Sequence, residues 1–367
     1  MSNPADNRPS DLQRQARPAE EARRLKGVSP GQDAWRRLRN NRVAMLSLGF
    51  LVVLGVLALL TPLLPFEPPR RVQTWRQFAS PLDEIQPPEQ KAASQQASFR
   101  DDFGRLDRFS RRLLDVRMAV FGQWSIPPVC GTDKLGRDLL SRLFWGARIS
   151  LAVGLVATLV SLVIGVSYGA IAGYAGGRVD NAMMRIVDVL YSIPFIFVVI
   201  FLITVLSADE IKQKLEGQYG INRVVIFFFV VGAIYWLTMA RVVRGQVISL
   251  KNEPFVEAAR ALGAGRLRII FIHLVPNLMS VVIVYLTLTI PRVMLFEAFL
   301  SFLGLGVEPP DVSWGLLANE GIQAITPVRI YWWLVVFPGL ALGLTLFALN
   351  FLGDGLRDAL DPRLKNR

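Results

Sequence analysis

One cysteine and one histidine occur among the 367 residues, Cys130 and His273. A single thiol excludes an internal disulfide, and a lone imidazole leaves a His-based metal site without a second ligand of its own type. No Gly-Lys pair occurs anywhere in the chain. Gly131 to Gly136 has the glycine spacing of a phosphate-binding loop, but Arg137 and Asp138 stand where lysine and a hydroxyl residue are needed, and no buried strand precedes it. The chain is therefore not expected to hydrolyse ATP itself. Charge is scarce as well: 19% of residues are charged, 52% are hydrophobic, and the mean hydropathy is +0.38.

The apolar residues fall in long uncharged runs: Val43 to Leu64, Ile149 to Gly177, Val189 to Ala208, Val224 to Ala240, Leu274 to Pro291 and Ile330 to Gly353. Each is near or above the roughly 17 to 25 residues that cross a bilayer as a helix. Backbone groups in lipid must pair within their own segment, so the spans are helices. The fold expected is all-α, with six transmembrane helices.

A formal charge of +12 suggests nucleic acid at first, but six spans account for it, because basic residues collect in cytoplasmic flanking loops. The tail up to Arg42 has ten Lys/Arg against five Asp/Glu. Arg241, Arg244, Lys251, Arg260, Arg266 and Arg268 follow the fourth run with only two acids among them, whereas the loop 307–329 is acidic. The loop 209–223 is balanced and does not decide. Both termini and the loop around residue 257 are expected in the cytoplasm. The first forty residues are polar and the first apolar run is long enough to stay as a span, so no cleavable signal peptide is expected.

Along the chain, residues 1–32 are rich in Arg, Gln, Asp and Pro and are expected to be a disordered cytoplasmic tail. Residues 33–65 combine a short basic interfacial helix, with Trp35 and Leu38 as its apolar points, and the first span. Residues 66–148 form a polar extracytoplasmic insertion with proline-rich pieces at Phe66 to Arg70 and Pro87 to Gln90. Within it Asp102 to Phe121 has an amphipathic pattern carried by Phe103, Leu106, Phe109, Leu113, Leu114 and Met118. It either packs on the rim of the bundle or meets an extracytoplasmic partner. Residues 149–356 are a five-helix core and 357–367 a cytoplasmic tail.

Gly165, Gly169 and Gly173 recur every four residues in the second run, a pattern that lets helix backbones approach closely and marks a packing seam. Pro194 is expected to kink the third run. Arg292 and Glu297 lie in or beside the fifth; ionisable groups there are costly and face a cavity or a partner. Two roles stay open for them: lining a path or outer gate, or structure at the outer rim. Asp133 with Arg137 and Asp138 with Arg142 have i,i+4 spacing and suggest an amphipathic helix leading into the second span. Gly353, Asp354 and Gly355 are expected to break the last helix as it leaves the membrane.

Asn252 to Asn277 reads NEPFVEAARALGAGRLRIIFIHLVPN. Asn252 as cap, Pro254 in the first turn, Glu257 near the start and Gly263 at the end define a short helix. Phe255, Ala258, Ala259 and Leu262 recur at helical spacing. By itself such a helix suits either a membrane surface or a protein partner.

Glu257-Ala258-Ala259 with Gly263 and the later Pro276 resembles the EAA loop of bacterial ABC-transporter permeases. His273 to Asn277 is similar to the peptide-permease branch, as are Gly131 to Leu151, Leu295 to Gly306, Ser313-Trp314-Gly315 and Phe351 to Arg363. The order of these motifs is similar to that of the oligopeptide-permease C subunit, from about Asp33 to the end, although the first outer loop looks longer than that family's usual one. The resemblance implies a type I importer permease fold and a transport subunit, not an enzyme, in the bacterial inner membrane, moving dipeptides or oligopeptides by alternating access. It implies a coupling loop over 250–270, with Glu257 and Gly263 central to coupling and Phe255, Ala258, Ala259 and Leu262 as the face that docks an ATPase. The partners implied are a second homologous permease, two ABC ATPases that bind ATP and Mg, an extracytoplasmic peptide-binding protein and the lipid bilayer, with no nucleic acid. A stand-alone secondary transporter would want internal repeats and charges near the bilayer midplane. A membrane enzyme would want a catalytic constellation. The chain shows neither.

Overall fold

A computed structural model describes residues 30–83, 99–104, 106–206, 208 and 223–360. The expected tail up to residue 29, the piece 87–90, the loop 209–222 and the C-terminal tail from 361 lie outside the described residues. The described chain is helical, without a strand: α1 (Pro30–Asn40), α2 (Arg42–Leu60), α3 (Arg108–Phe121), α4 (Leu139–Ala175), α5 (Gly177–Ser192), α6 (Phe195–Leu206), α7 (Arg223–Leu250), α8 (Pro254–Ala261), α9 (Arg266–Phe302), α10 (Trp314–Gln323) and α11 (Trp333–Leu360).

Among the described residues five helices are long and apolar enough to cross a membrane alone, and a sixth crossing results if α5 and α6 count as one. Those two are bent by 83°. Pro194 has no N–H to continue the ladder, and it pushes Ile193 into an extended conformation, φ −80° and ψ 128°. The expected kink is thus a break. On the other side of α5, Gly176 and Gly177 both take positive φ, which turns the chain back within one residue of the end of α4.

The centre of the bundle is the α4–α7 pair. A methyl on Gly165 would stand 2.6 Å from the Met239 Cβ, and one on Gly173 would stand 2.8 Å from the Arg244 carbonyl oxygen. Gly169 backs directly on the Ala240 carbonyl, and Gly232 of α7 in turn faces the Ala157 carbonyl of α4. Lipid tails are as apolar as leucine, so close backbone approach supplies the attraction that water would supply elsewhere.

Helix α9 runs on through Pro291, past the end of the uncharged run, and stays helical to Phe302. Near its start, Ile269–Leu274 is π-helical, with the Val275 N–H donating to the Ile270 carbonyl. Pro276 lacks an N–H, and its ring would collide with the carbonyl four residues back; widening the turn relieves this. Helix α11 likewise does not break at Gly353 and Gly355, contrary to expectation, and ends at Leu360. Gly355 sits on Ala44 of α2 and Gly353 near Thr287 of α9, so these glycines answer a need for close approach. Beside them Leu38 of α1 is buried against Ala44 and Ala359, while Trp35 stays exposed.

Candidate functional site

Helix α8 is one short rod between α7 and α9. Pro254 occupies its first turn, but Glu253, not Asn252, stands at the N-cap, and it makes no side-chain cap bond. The helix ends in a Schellman turn: the Gly263 N–H donates to the Arg260 carbonyl at 2.9 Å and the Ala264 N–H to the Ala259 carbonyl at 3.0 Å. Gly263 has φ +80° and open space where a Cβ would be. Its requirement is conformational, not steric.

Val256 and Ala259 are buried in a cluster with Val166 and Ala170 of α4, Met239, Val243 and Val247 of α7, and Ile269 of α9. Ala259, expected on the docking face, therefore turns into its own subunit. Phe255, Glu257, Ala258 and Leu262 point outward, and Leu262 is 88% exposed. Three residues separate Val256 from Ala259, so one stripe is fastened inward while the neighbouring one is left free. Arg260 stacks over Tyr174 and donates to the Lys251 carbonyl, and Lys251 donates to the Gly173 carbonyl. Arg244 grips Asp180 through two bonds of 2.5 and 2.7 Å. The rod is thus joined to the ends of α4, α5, α7 and α9 at one end of the bundle.

At the opposite end of α4, Gly131 to Asp138 is a turn and not the expected leading helix, which begins only at Leu139. Asp138 does not pair with Arg142. It caps α4, accepting from the Leu140 and Ser141 N–H groups at 3.0 Å each. Burial, and then the Glu67 carboxylate, push Asp138 up to about 7. Arg142, 1% exposed, bonds Asp133 at 2.6 Å and Glu320 at 2.5 Å. Arg137 completes a four-membered knot, 2.6 Å from Asp133 and 3.4 Å from Glu320. Glu67 and Arg76 make a further buried ion pair beside it. Neither Glu320 nor helix α10 that carries it was marked by the sequence; the loop 307–329 has no apolar run to announce a helix.

Glu297 and Arg292 part company. Glu297 is wholly enclosed, accepting from Ser301 at 2.7 Å and Ser150 at 3.3 Å, while Ser150 in turn accepts from the Trp314 N–H. It ties α4, α9 and α10 together and touches no open path in this arrangement. Arg292 is exposed on α9, five residues and therefore about 140° around the helix from Glu297.

These helices define a polytopic membrane protein with a buried ionic knot at one end and a fastened, partly free short helix at the other. Residues 162–366, more than half the chain, match the family of binding-protein-dependent transport system inner membrane components, and residues 29–88 match the N-terminal TM domain of oligopeptide transport permease C. The chain belongs to that transport-permease family. It is 39% identical over 342 residues to the dipeptide transport system permease protein DppC of Bacillus subtilis, covering 92% of this chain and 87% of that one. It is 39% identical over 339 residues to the oligopeptide transport system permease protein OppC of Escherichia coli K12, covering 92% and 93%. A solved structure of the MetNI methionine ABC transporter aligns with 59% of this chain and 94% of its own at 19% identity and TM-score 0.45, a likeness too loose to carry weight.

Proposed function

We propose that this chain is one of two membrane permease subunits of an ATP-driven importer of dipeptides or oligopeptides in the bacterial inner membrane. Both termini and α8 lie in the cytoplasm. The observation that carries the proposal is the division of α8: Val256 and Ala259 are clamped to the span ends, and Phe255, Glu257, Ala258 and Leu262 are left outward. A rod so held moves the spans with it when pushed. An ATPase seated on Phe255, Ala258 and Leu262, with Glu257 beside them, would convert its own closure into rocking of α4, α7 and α9 between inward-open and outward-open arrangements. ATP and Mg belong to two such ATPase partners, and a soluble peptide-binding protein delivers cargo at the other face. Gly263 keeps the exit of the lever in one conformation.

A second, homologous permease completes the pathway. Arg292 supports this: a guanidinium left exposed on a membrane-spanning helix needs either a polar partner subunit or a water-filled path beside it. Peptide cargo is read from the relatives whose names state it.

The test is purification of the tagged full-length chain from native membranes in mild detergent, with mass spectrometry of what accompanies it. Two ABC ATPases and a second permease are expected, and the ATPases are expected to be lost with Leu262→Asp. Recovery of the chain alone or as a homo-oligomer, with transport intact, would overturn the proposal.

A further inference from the structure

Helix α3 has three sectors where a helix packed on a soluble surface needs two. At about 100° per residue, Ser110, Leu114 and Arg117 form one sector, buried against the chain. Phe109, Leu113, Val116 and Val120 fall within about 60° of one another in a second, and Phe109, Val116 and Val120 are each more than half exposed. Arg108, Arg111, Arg112 and Asp115 make the third, which is charged and exposed.

The position of α3 is set by two tethers. In its last two turns Arg117 donates from Nε to the Leu64 carbonyl at 3.1 Å and from Nη2 to the Phe66 carbonyl at 3.0 Å. Both acceptors lie just beyond the spanning helix α2. In its first turn Ser110 accepts from Arg148 Nη2 at 2.6 Å, and Arg148 is the last charged residue before the uncharged run of α4. The helix is about 21 Å long, and it is fastened at both ends to places where a span meets the polar boundary. It therefore runs along that boundary and not away from it. Trp124, 60% exposed, follows its C-terminus. The residues before its N-terminus, Leu106 and Asp107, border a cleft of about 740 Å³ whose walls include Leu59 of α2, Leu155 of α4 and Phe228 of α7, with Arg70 and Arg148 among its polar residues.

We infer that α3 is an interfacial helix whose Phe109–Leu113–Val116–Val120 stripe rests in the bilayer at the headgroup–acyl boundary. Arg108 and Arg112 extend their stems over the apolar surface to lipid phosphates. Lipid suits the three-way division: protein on one side, acyl chains on the second, and phosphate and water on the third. The inference rests on α2 and α4 spanning the membrane and is independent of cargo and of ATPase partners.

The experiment uses the full-length chain in phospholipid nanodiscs, with an environment-sensitive fluorophore at a single introduced cysteine in a Cys130→Ala background. Val116→Cys and Val120→Cys probe the stripe, Arg111→Cys the charged sector and Val53→Cys the exposed face of α2. Lipids carrying a nitroxide near the headgroup are expected to quench the labels at 116 and 120 severalfold more than the label at 111. Aqueous iodide is expected to do the reverse. Iodide reaching 116 and 120 as readily as 111 overturns the inference, leaving α3 in water. Shielding of 116 and 120 from both quenchers overturns it in favour of a covering protein subunit. A label at 53 that lipid fails to quench would instead place the error in the membrane-spanning reading of α2.

Discussion

Arg142 and Glu320 lie 178 residues apart in the chain and meet through two hydrogen bonds of 2.5 and 3.2 Å. The contact locks the first turn of α4 to α10, and Asp133 and Arg137 share it. Removing the 1%-exposed guanidinium leaves the buried Asp133 carboxylate and the partly buried Glu320 carboxylate with only Arg137 between them. Arg142→Ala is expected to cost about 3 kcal/mol, since breaking a buried ionic network strands its remaining charges. Thermal unfolding of the detergent-solubilised protein checks this, and an unshifted midpoint would remove the knot from the account of stability.

Asp138 supplies a pH dependence of known sign. Its ordinary pKa is near 4, and in the folded chain burial and Glu67 raise it to about 7. Between those values the folded state holds a proton that the unfolded state has released, so stability falls as pH rises through this window. Asn caps a helix as well as Asp does and carries no charge to bury. Asp138→Asn is expected to raise the melting midpoint at pH 8 and to leave it nearly unchanged at pH 4, so that the wild-type slope flattens. A variant that melts in parallel with wild type at both pH values contradicts it.

The α4–α7 seam predicts opposite outcomes for two alanines. Gly169→Ala places a methyl against the Ala240 carbonyl, whereas Gly245→Ala meets nothing. The first is expected to destabilise by about 1–3 kcal/mol through overpacking. The second is expected to be neutral or mildly stabilising, because glycine is the poorer helix former. Equal melting midpoints for the pair would mean the seam is looser than its geometry.

Helix α8 separates two adjacent alanines. Ala258 is outward and Ala259 is 7% exposed within the subunit core. Ala258→Trp is expected to abolish co-purification of the ATPases while leaving the melting midpoint in place. Ala259→Trp is expected to lower the midpoint as well. At Gly263, Leu would bear about 1–2 kcal/mol of left-handed strain and is expected to uncouple ATP hydrolysis from peptide uptake, while Gly263→Asn, which tolerates that conformation, retains uptake. Full uptake by Gly263→Leu would show that the turn is dispensable for coupling.

Much of this molecule was legible without coordinates, because much of it is local. Bilayer-spanning length is a sum over neighbouring residues, so the runs from Val43 to Gly353 announce their helices. The break at Pro194 and the αL exit at Gly263 follow from what proline and glycine do to their own turn. The every-fourth glycines of α4 state that something comes close, though not that it is Ala240 and Arg244. What tertiary structure alone decided was which side of each helix is inside. A span has apolar surroundings toward protein and toward lipid alike, so its pattern carries no inward signal, and Ala258 and Ala259 look the same in the sequence. The pairing of Arg142 with Glu320, and the uninterrupted passage of α11 through Gly353 and Gly355, depend on elements remote in the chain. Local spacing offered Arg142 a nearer carboxylate, Asp138. The fold gave that carboxylate to the helix cap, because two unpaired N–H groups at the start of α4 had no other partner.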